Sequence, residues 1–236
     1  MRNPRTKSAL VLGTTATLAA LAARDYKAWY ALGEGGVPHN PRGWLLTTGL
    51  RTLKREPLSP KVYQDSIGEP ADRRGLADLP RREGERPKIA PYPIPHRQLD
   101  QPGDPAARDR VSDAFDDAVH ADTRVFWQRS GYEKHTNAVT VVPHLLSHAT
   151  ARQAHGEVAH IHPGDGSMHM IFSPSDAATV LETGWGERHP LAGRVRLPLT
   201  YLLIYAPRTP EDAEATLMLL DASLAYMAQQ LEAGTI

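Results

Sequence analysis

Cysteine is absent from the 236-residue chain. Its absence excludes disulfide bonds, thiolate nucleophiles and thiolate metal ligands, so a metal would have to bind histidine, aspartate or glutamate. An excess of either charge is absent as well, because 27 Lys and Arg residues balance 27 Asp and Glu residues. Zinc-finger and glycine-rich phosphate-binding motifs are also missing. We therefore expect no nucleic-acid partner.

Long apolar runs are missing too, with one partial exception near the N-terminus. Residues 8–23, SALVLGTTATLAALAA, carry no charge and follow the basic residues Arg2, Arg5 and Lys7. The run is shorter than the roughly 20 residues of a bilayer-spanning helix, and its end fits the small-residue cleavage site of a signal peptide. We expect a single-pass membrane anchor with a cytoplasmic N-terminus or a signal that is removed on secretion. A buried alanine-rich helix is the third interpretation.

The rest of the sequence divides by composition. Hydrophobic residues make up 41% of the chain, which is enough for one sizeable core. The predicted regions are a membrane anchor or signal segment (1–23), an amphipathic helical region (24–56), a Pro-rich extended segment (57–105) and an α+β core (106–236). The amphipathic region either lies along a membrane surface or covers the core. The prolines of the third region forbid a central strand.

Helix and strand signals alternate in the last region. Ser173 with Pro174, and later Thr209 with Pro210, are typical helix starts, and Gly184 is a typical helix end. The pattern also predicts a helix over 107–119, strands over 138–143 and 201–207, and a hairpin over 157–172. We therefore expect an α+β fold, in which an antiparallel sheet with a His-bearing hairpin is packed by helices and preceded by an N-terminal apolar helix.

The hairpin HIHPGDGSMHM holds three histidines within ten residues. An even-length turn at 163–166 predicts that His160 lies opposite His169 and His162 opposite Ser167. These four side chains would then share one sheet face, while Glu157 would lie on the other face with the apolar residues. A register shift by one residue would separate His169 from the others.

Three roles compete for this histidine face. Neutral imidazoles bind transition metals, with Asp or Glu completing the ligand set. They also act as general bases and proton shuttles. In the third interpretation they only form hydrogen bonds with one another and with water. Three histidines on one face favour a functional role over the third interpretation.

A second candidate segment is GWGERHPLAG, residues 184–193. It places Trp185, Arg188 and His189 in a predicted loop, where an aromatic ring, a guanidinium and an imidazole can contact one bound molecule. The alternative is that the glycines only turn the chain and that Trp185 fills the core.

Six segments together resemble the fungal luciferase family. They are RDY (24–26), LADLPRREGERP (76–87), EVAHIH, MHM, GWGERHPLAG and YAPRTPEDAE (205–214). Members of this family oxidise a hydroxylated styryl-pyrone of the hydroxyhispidin type with molecular oxygen and release carbon dioxide and light. The resemblance implies an oxygenase with a small aromatic substrate, and it favours a retained membrane anchor. The hairpin turn and the absence of cysteine differ from the luminous fungal proteins, so a non-luminous homologue is left open.

The resemblance places three segments of this chain in the family's distinctive elements, and their chemistry suggests roles. We expect His160 or His169 to be the base and Arg188 and His189 to stabilise the enolate and peroxide. The candidate catalytic residues are His160, His162, His169, Arg188 and His189, and the candidate substrate-binding residues are Glu157, Ser167, Trp185, Tyr205 and Arg208.

We expect no cofactor beside oxygen, because a deprotonated hydroxypyrone can give an electron to oxygen directly. Glu157 on the opposite face and Asp165 in the turn would also leave the histidines without a carboxylate co-ligand. A metal at His160, His162 and His169 remains the alternative, in a metal-dependent oxygenase or hydrolase. A non-catalytic protein that binds small aromatic molecules at the membrane is the other alternative.

Overall fold

A computed structural model describes residues 4–64 and 75–229. Its α-helices are α1 (Pro4–Tyr30), α2 (Pro41–Leu50), α3 (Lys61–Gln64), α4 (Pro105–Ala121), α5 (Ala149–Gln153), α6 (Pro174–Thr183) and α7 (Pro210–Met227). Its strands are β1 (Val125–Arg129), β2 (Asn137–Val141), β3 (Glu157–Ile161), β4 (Met168–Ile171), β5 (Gly186–Arg188) and β6 (Tyr201–Ile204). Short 3-10 turns cover Arg51–Leu53 and Pro143–Leu145.

The strands form one antiparallel sheet in the order β1-β2-β3-β4-β6-β5. The predicted α+β class with an antiparallel sheet is confirmed. The hairpin register is also as predicted, since His160 pairs with His169 and the amide of His162 donates to the carbonyl of Ser167 at 2.8 Å. Strands β1 and β5 lie where the sequence predicted none.

Side-chain caps set the ends of the two helices that follow strands. The hydroxyl of Ser173 accepts a hydrogen bond from the amide of Asp176 at 3.1 Å, and Gly184 ends α6 in the left-handed conformation with φ 84°. Thr209 caps α7 by the same contact with the amide of Asp212. Both helix starts were predicted from these residue types.

One face of the sheet carries apolar side chains. Val139, Ala159, Met170 and Leu202 pair across neighbouring strands on this face and are completely or almost completely buried. Helix α7 packs on β3 and β4, and α4 packs on α7 and β1. This layer supplies most of the core and fixes the positions of β3 and β4.

The other face of the sheet is covered by residues 91–98, here called the Pro-rich cover. Gln98 ties it to the sheet, because its amide donates to Asp165 at 3.0 Å and its side-chain oxygen accepts from Ala206 at 3.1 Å. The indole of Trp29 donates to the carbonyl of Ile94 at 2.9 Å. Helix α1 therefore supports the cover from outside, through a second apolar cluster of Trp29, Val37, Ala90 and Tyr92.

Helix α1 includes the whole of the predicted apolar run, residues 8–23. Residues 1–3, and the side chains of residues 4–14, lie outside the described part of the chain. Over the described residues, no helix combines the length and the hydropathy needed to cross a bilayer. The predicted transmembrane helix is therefore not supported.

Candidate functional site

Three imidazoles converge between β3 and β4. The Nε2 atom of His160 lies 3.3 Å from Nδ1 of His169, and the Nε2 atom of His162 lies 3.1 Å from the same atom. All three side chains are at most 2% exposed. The predicted hairpin register thus brings the three residues together.

Two further histidines extend this cluster. The Nδ1 atom of His96, in the Pro-rich cover, lies 3.3 Å from Nε2 of His169. The ring of His189 lies 4.9 Å from that of His96 and 5.5 Å from that of His169. Sequence reasoning identified His189 but missed His96, because a lone histidine among prolines has no periodic pattern that would place it on a sheet.

Each end of the histidine cluster is held by a carboxylate. Glu157 Oε1 accepts from His160 Nδ1 at 2.7 Å, and Glu187 Oε1 accepts from His96 Nε2 at 3.1 Å. On the third side, His162 Nδ1 lies 2.9 Å from the Ser167 hydroxyl, which itself donates to Asp165 at 2.8 Å. These contacts fix the orientation of the rings.

The predicted position of Glu157 was wrong, and a β-bulge explains why. Thr140 pairs with Glu157, and its neighbour on β2, Val139, pairs with Ala159. Val158 lies between these two partners without a partner of its own on β2, so it is an extra residue on β3. An extra residue reverses the alternation of side chains beyond it. Glu157 therefore lies on the same face as His160 and not among the apolar residues.

Glu157 is a buried carboxylate with three hydrogen-bond donors. Besides His160, it accepts from the Ser130 hydroxyl and the Gly131 amide, each at 2.8 Å. Burial alone would raise the pKa of Glu157, but the hydrogen bonds from His160, Ser130 and Gly131 outweigh burial and lower that pKa. The side chain is consequently ionised at neutral pH.

Glu187 is the matching carboxylate at the other end of the site. Its Oε2 atom accepts from the Tyr205 hydroxyl at 3.1 Å and forms an ion pair with Arg86. Burial raises the pKa of Glu187, and the contacts with His96 and Arg86 lower it by more. Sequence reasoning missed Glu187, since GWGERHPLAG was predicted as a loop and Glu187 lies on β5.

The central imidazoles are neutral. Burial lowers the pKa values of His162, His169 and His189 well below the ordinary value, and nearby imidazoles lower them further. Neutral imidazole is the form that accepts a proton or binds a metal. Tyr201 stacks on His169 with ring centroids 4.6 Å apart and keeps this part of the cluster dry.

A cavity of about 200 Å³ reaches the cluster from the side of the Pro-rich cover. His96, His169 and His189 line it, together with Tyr132 and Tyr201. A neighbouring cavity of about 400 Å³ shares Tyr132 with it and also reaches Glu157. A small molecule in the inner cavity would therefore touch imidazoles directly.

The sequence of the chain is similar to those of known proteins named luciferase. A family model described as a luciferase domain matches residues 155–223, which include the hairpin, β5 and β6. A luciferase of Neonothopanus nambi is 35% identical over 219 residues, covering 86% of this chain and 80% of its own length. A luciferase of Armillaria mellea is 32% identical over 233 residues, covering 90% and 84%. The chain belongs to the fungal luciferase family.

A third member of the fungal luciferase family, from Armillaria gallica, is 32% identical over 224 residues. No solved structure matches the chain. The luciferase-domain match begins at residue 155, so His96 and the whole Pro-rich cover lie before it. In this family member the site therefore combines the matched domain with a segment from the N-terminal half.

Arg188 is not at the cavity of this family member. It pairs with Leu202 on the apolar face of the sheet, and its guanidinium donates to the carbonyls of Glu56 and Ser59 and lies 5.7 Å from the ring centre of Tyr63. The predicted contact of Arg188 with an enolate is therefore corrected to a structural contact.

Three predicted substrate-binding residues also lie elsewhere. Trp185 is 3% exposed within the core and donates to the carbonyl of Pro80 at 2.6 Å, which was the alternative considered for it. Arg208 pairs with Asp212 at 2.8 Å. Tyr205 contacts Glu187 but does not line the cavity. Ser167 joins the cluster as the hydrogen-bond partner of His162.

Proposed function

We propose that the protein is an oxygen-dependent enzyme that oxidises an acidic enol of the hydroxypyrone class, such as 3-hydroxyhispidin, with release of carbon dioxide. The observation that carries the proposal is the inner cavity, which ends on three buried imidazoles in a chain 35% identical to a luciferase. A burial of this degree excludes water from the reacting atoms.

His96 is the best-supported proton acceptor. Its Nε2 side is bound to the Glu187 carboxylate, an arrangement that stabilises an imidazolium once a proton has arrived. Its Nδ1 atom is the acceptor: it lies 3.3 Å from Nε2 of His169, the ring lines the inner cavity, and Nδ1 takes up the enol proton when the substrate displaces the contact with His169. The base was predicted to be His160 or His169, of which His169 lines the inner cavity and His160 does not. We propose His96 in their place because it is the cavity imidazole that is bound to a carboxylate.

The overall reaction balances with oxygen as the only oxidant. The enol proton passes to an imidazole, and the enolate supplies the electrons that reduce oxygen. The substrate and one O₂ give carbon dioxide and a product that is one carbon shorter. An imidazole beside a dry cavity favours this step, because it accepts the proton and the resulting imidazolium stabilises the neighbouring enolate.

Tyr132 is suited to orient the substrate. Its side chain lines both cavities, and its hydroxyl is buried without a hydrogen-bond partner in the described part of the chain. A buried hydroxyl without a partner is costly. A carbonyl or phenol of the substrate would supply that partner.

Oxygen consumption by the purified full chain tests this function. We expect addition of 3-hydroxyhispidin to consume oxygen and to release carbon dioxide, and photon counting in the same vessel shows whether light accompanies the reaction. His96→Asn should lower the rate by roughly 10²–10⁴-fold, as expected for loss of a general base. The exposed residue His144 provides the control, and His144→Asn should leave the rate unchanged.

Two outcomes would contradict the proposal. If the wild-type chain binds hydroxypyrones but consumes no oxygen, the protein is a binder of small aromatic molecules and not an oxygenase. If His96→Asn retains the full rate, the proton acceptor lies elsewhere.

A further inference from the structure

We propose that His160, His162 and His169 bind one first-row divalent transition-metal ion, the ligand atoms being Nε2, Nε2 and Nδ1. Each of the three residues offers one ring nitrogen, and the three nitrogens lie within 4.8 Å of one another. This inference goes beyond the proposed oxidation of a hydroxypyrone, because it follows from the orientation of the rings alone and holds for any substrate.

The spacing of the three nitrogens fits a metal. His169 Nδ1 lies 3.3 Å from His160 Nε2 and 3.1 Å from His162 Nε2. In a tetrahedral site with metal–nitrogen bonds of about 2.0–2.1 Å, ligand nitrogens are about 3.3 Å apart. The rings therefore need little rearrangement to coordinate an ion.

The hydrogen bonds on the far sides of two rings leave their inner nitrogens as lone pairs. Glu157 is ionised and can only accept, so His160 carries its proton on Nδ1. The Ser167 hydroxyl donates to Asp165, so it accepts from His162 Nδ1. In the tautomers that these contacts specify, the inner Nε2 atoms of His160 and His162 are the lone-pair nitrogens.

His169 is oriented by a longer chain of contacts. His96 donates from Nε2 to the Glu187 carboxylate, so in the tautomer with its one proton on Nε2 its Nδ1 is an acceptor. His169 then donates from Nε2 to His96. The Nδ1 atom of His169 is therefore a third lone pair that points at the other two.

Three lone pairs at this spacing repel one another unless a cation lies between them. A single proton on His169 Nδ1 would face two acceptors at 3.1 and 3.3 Å and could form only one straight hydrogen bond. A metal ion satisfies all three nitrogens at once, and each ligand already has the second hydrogen-bond partner that metal-bound histidines have.

Local charge also favours a cation. Glu157 is buried, and the donors to its carboxylate in the described chain are His160, Ser130 and Gly131, none of which carries a fixed positive charge. Buried charges are normally paired or bound to metals. A divalent ion on the other side of the His160 ring would balance this carboxylate.

The neighbouring group of His96, His169 and His189 is less suited to a metal. The amide of Leu191 donates to His189 Nδ1 at 3.1 Å, and the ring also bonds the backbone of Pro93. His189 therefore has no nitrogen to spare. The ion belongs to the deeper group, and His169 alone connects it to the inner cavity.

Titration of the full-length protein with Co²⁺ after treatment with a chelator tests the site without substrate. We expect one equivalent to bind, with the visible absorption bands of a nitrogen-coordinated ion and a rise in Tm. Zn²⁺ should compete with Co²⁺ for the site. Failure of the stripped wild-type protein to bind either ion would overturn the inference.

Two variants locate the ion. His162→Asn removes a ligand that does not line the inner cavity and should abolish the Co²⁺ bands, whereas His144→Asn, on the surface, should keep them. Ser167→Ala keeps all three ligands and should weaken binding by roughly 10–100-fold, as loss of a hydrogen bond to a metal-binding histidine does. This milder variant remains informative if His162→Asn does not fold. Full-strength binding by a folded His162→Asn protein would overturn the assignment.

The metal site and the proposed reaction are tested independently. Oxygen consumption by a protein that binds no metal would overturn the metal site and leave the oxygenase function. Stoichiometric metal binding without oxygen consumption would support the metal site and contradict the oxygenase function.

Discussion

His160 Nδ1 and Glu157 Oε1 lie 2.7 Å apart, although residues three positions apart on a regular strand point to opposite faces. The bulge at Val158 makes the contact possible. It converts one residue of β3 from a core position into the partner of an imidazole.

Glu157→Gln should therefore impair activity more than stability. The amide keeps the shape of the side chain but no longer specifies the proton on His160 Nδ1. We expect turnover to fall by roughly 10–100-fold. Glu182→Gln, at an exposed position of α6, is the matched control. Equal steady-state rates for the two variants would show that Glu157 has no part in the reaction.

Tyr132→Phe should affect substrate binding without destabilising the fold. The Tyr132 hydroxyl makes no hydrogen bond in the described chain, so its removal loses none. If the hydroxyl binds substrate, KM should rise about fivefold, since one hydrogen bond contributes roughly 1 kcal/mol. Thermal unfolding and steady-state kinetics distinguish the two effects. An unchanged KM would remove Tyr132 from the substrate site.

Arg188→Met should destabilise the protein by roughly 2–3 kcal/mol, because hydrogen bonds from a buried charged side chain to two backbone carbonyls are lost. The Arg188 guanidinium bonds the carbonyls of Glu56 and Ser59. The activity of each folded molecule should stay the same, since Arg188 faces away from the cavity. Urea unfolding and kcat measure the two quantities, with exposed Arg81→Met as the control. A lower kcat with unchanged stability would restore the catalytic role first predicted for Arg188.

Asp25→Asn should change how stability depends on pH. Burial raises the pKa of Asp25, but hydrogen bonds from Trp44, Arg51 and Tyr92 outweigh burial and lower it. A carboxylate with a lowered pKa stabilises the fold above its unfolded pKa of about 3.9, and this contribution is lost as pH falls through the folded value. The wild type should therefore exceed Asp25→Asn in stability at pH 7, and the difference should shrink below about pH 4. Denaturant unfolding over this range measures it, and a constant difference would contradict the linkage.

Deletion of residues 1–23 should leave a folded and active protein. The described side chains from Thr15 to Ala23 are exposed, whereas Trp29 and the contacts of Asp25 remain in the shortened chain. If residues 8–23 direct membrane association, only the full-length protein should sediment with membranes. Full-length protein with an intact N-terminus that stays entirely in the supernatant would contradict the membrane prediction.

The parts of the site that follow the regular alternation of a strand or a local helix-capping pattern were predictable from the sequence. Strand alternation and an even turn placed His160, His162 and His169 on one face, and cap residues fixed the starts of α6 and α7. These features depend on local rules that operate over a few residues.

The missed parts depend on departures from those rules. The bulge that places Glu157 on the histidine face cannot be recognised from the regular alternation of side chains along a strand. Strand β5 is three residues long and begins with a glycine, which concealed Glu187 in a predicted loop. His96 reaches the site through the tertiary packing of the Pro-rich cover, whose sequence has neither a helical nor a strand periodicity.

The Pro-rich cover has a consequence for protein engineering. His96 and Gln98 bring it onto the sheet from outside the luciferase-domain match, and Trp29 supports it. A fragment limited to residues 155–223 would keep four of the five histidines of the site, all except His96, but would expose their rings to solvent. Chimeras between relatives that exchange residues 24–104 would change the Pro-rich cover and the cavity wall that it forms, and would leave the hairpin intact. Such exchanges are a direct way to alter substrate range in this family.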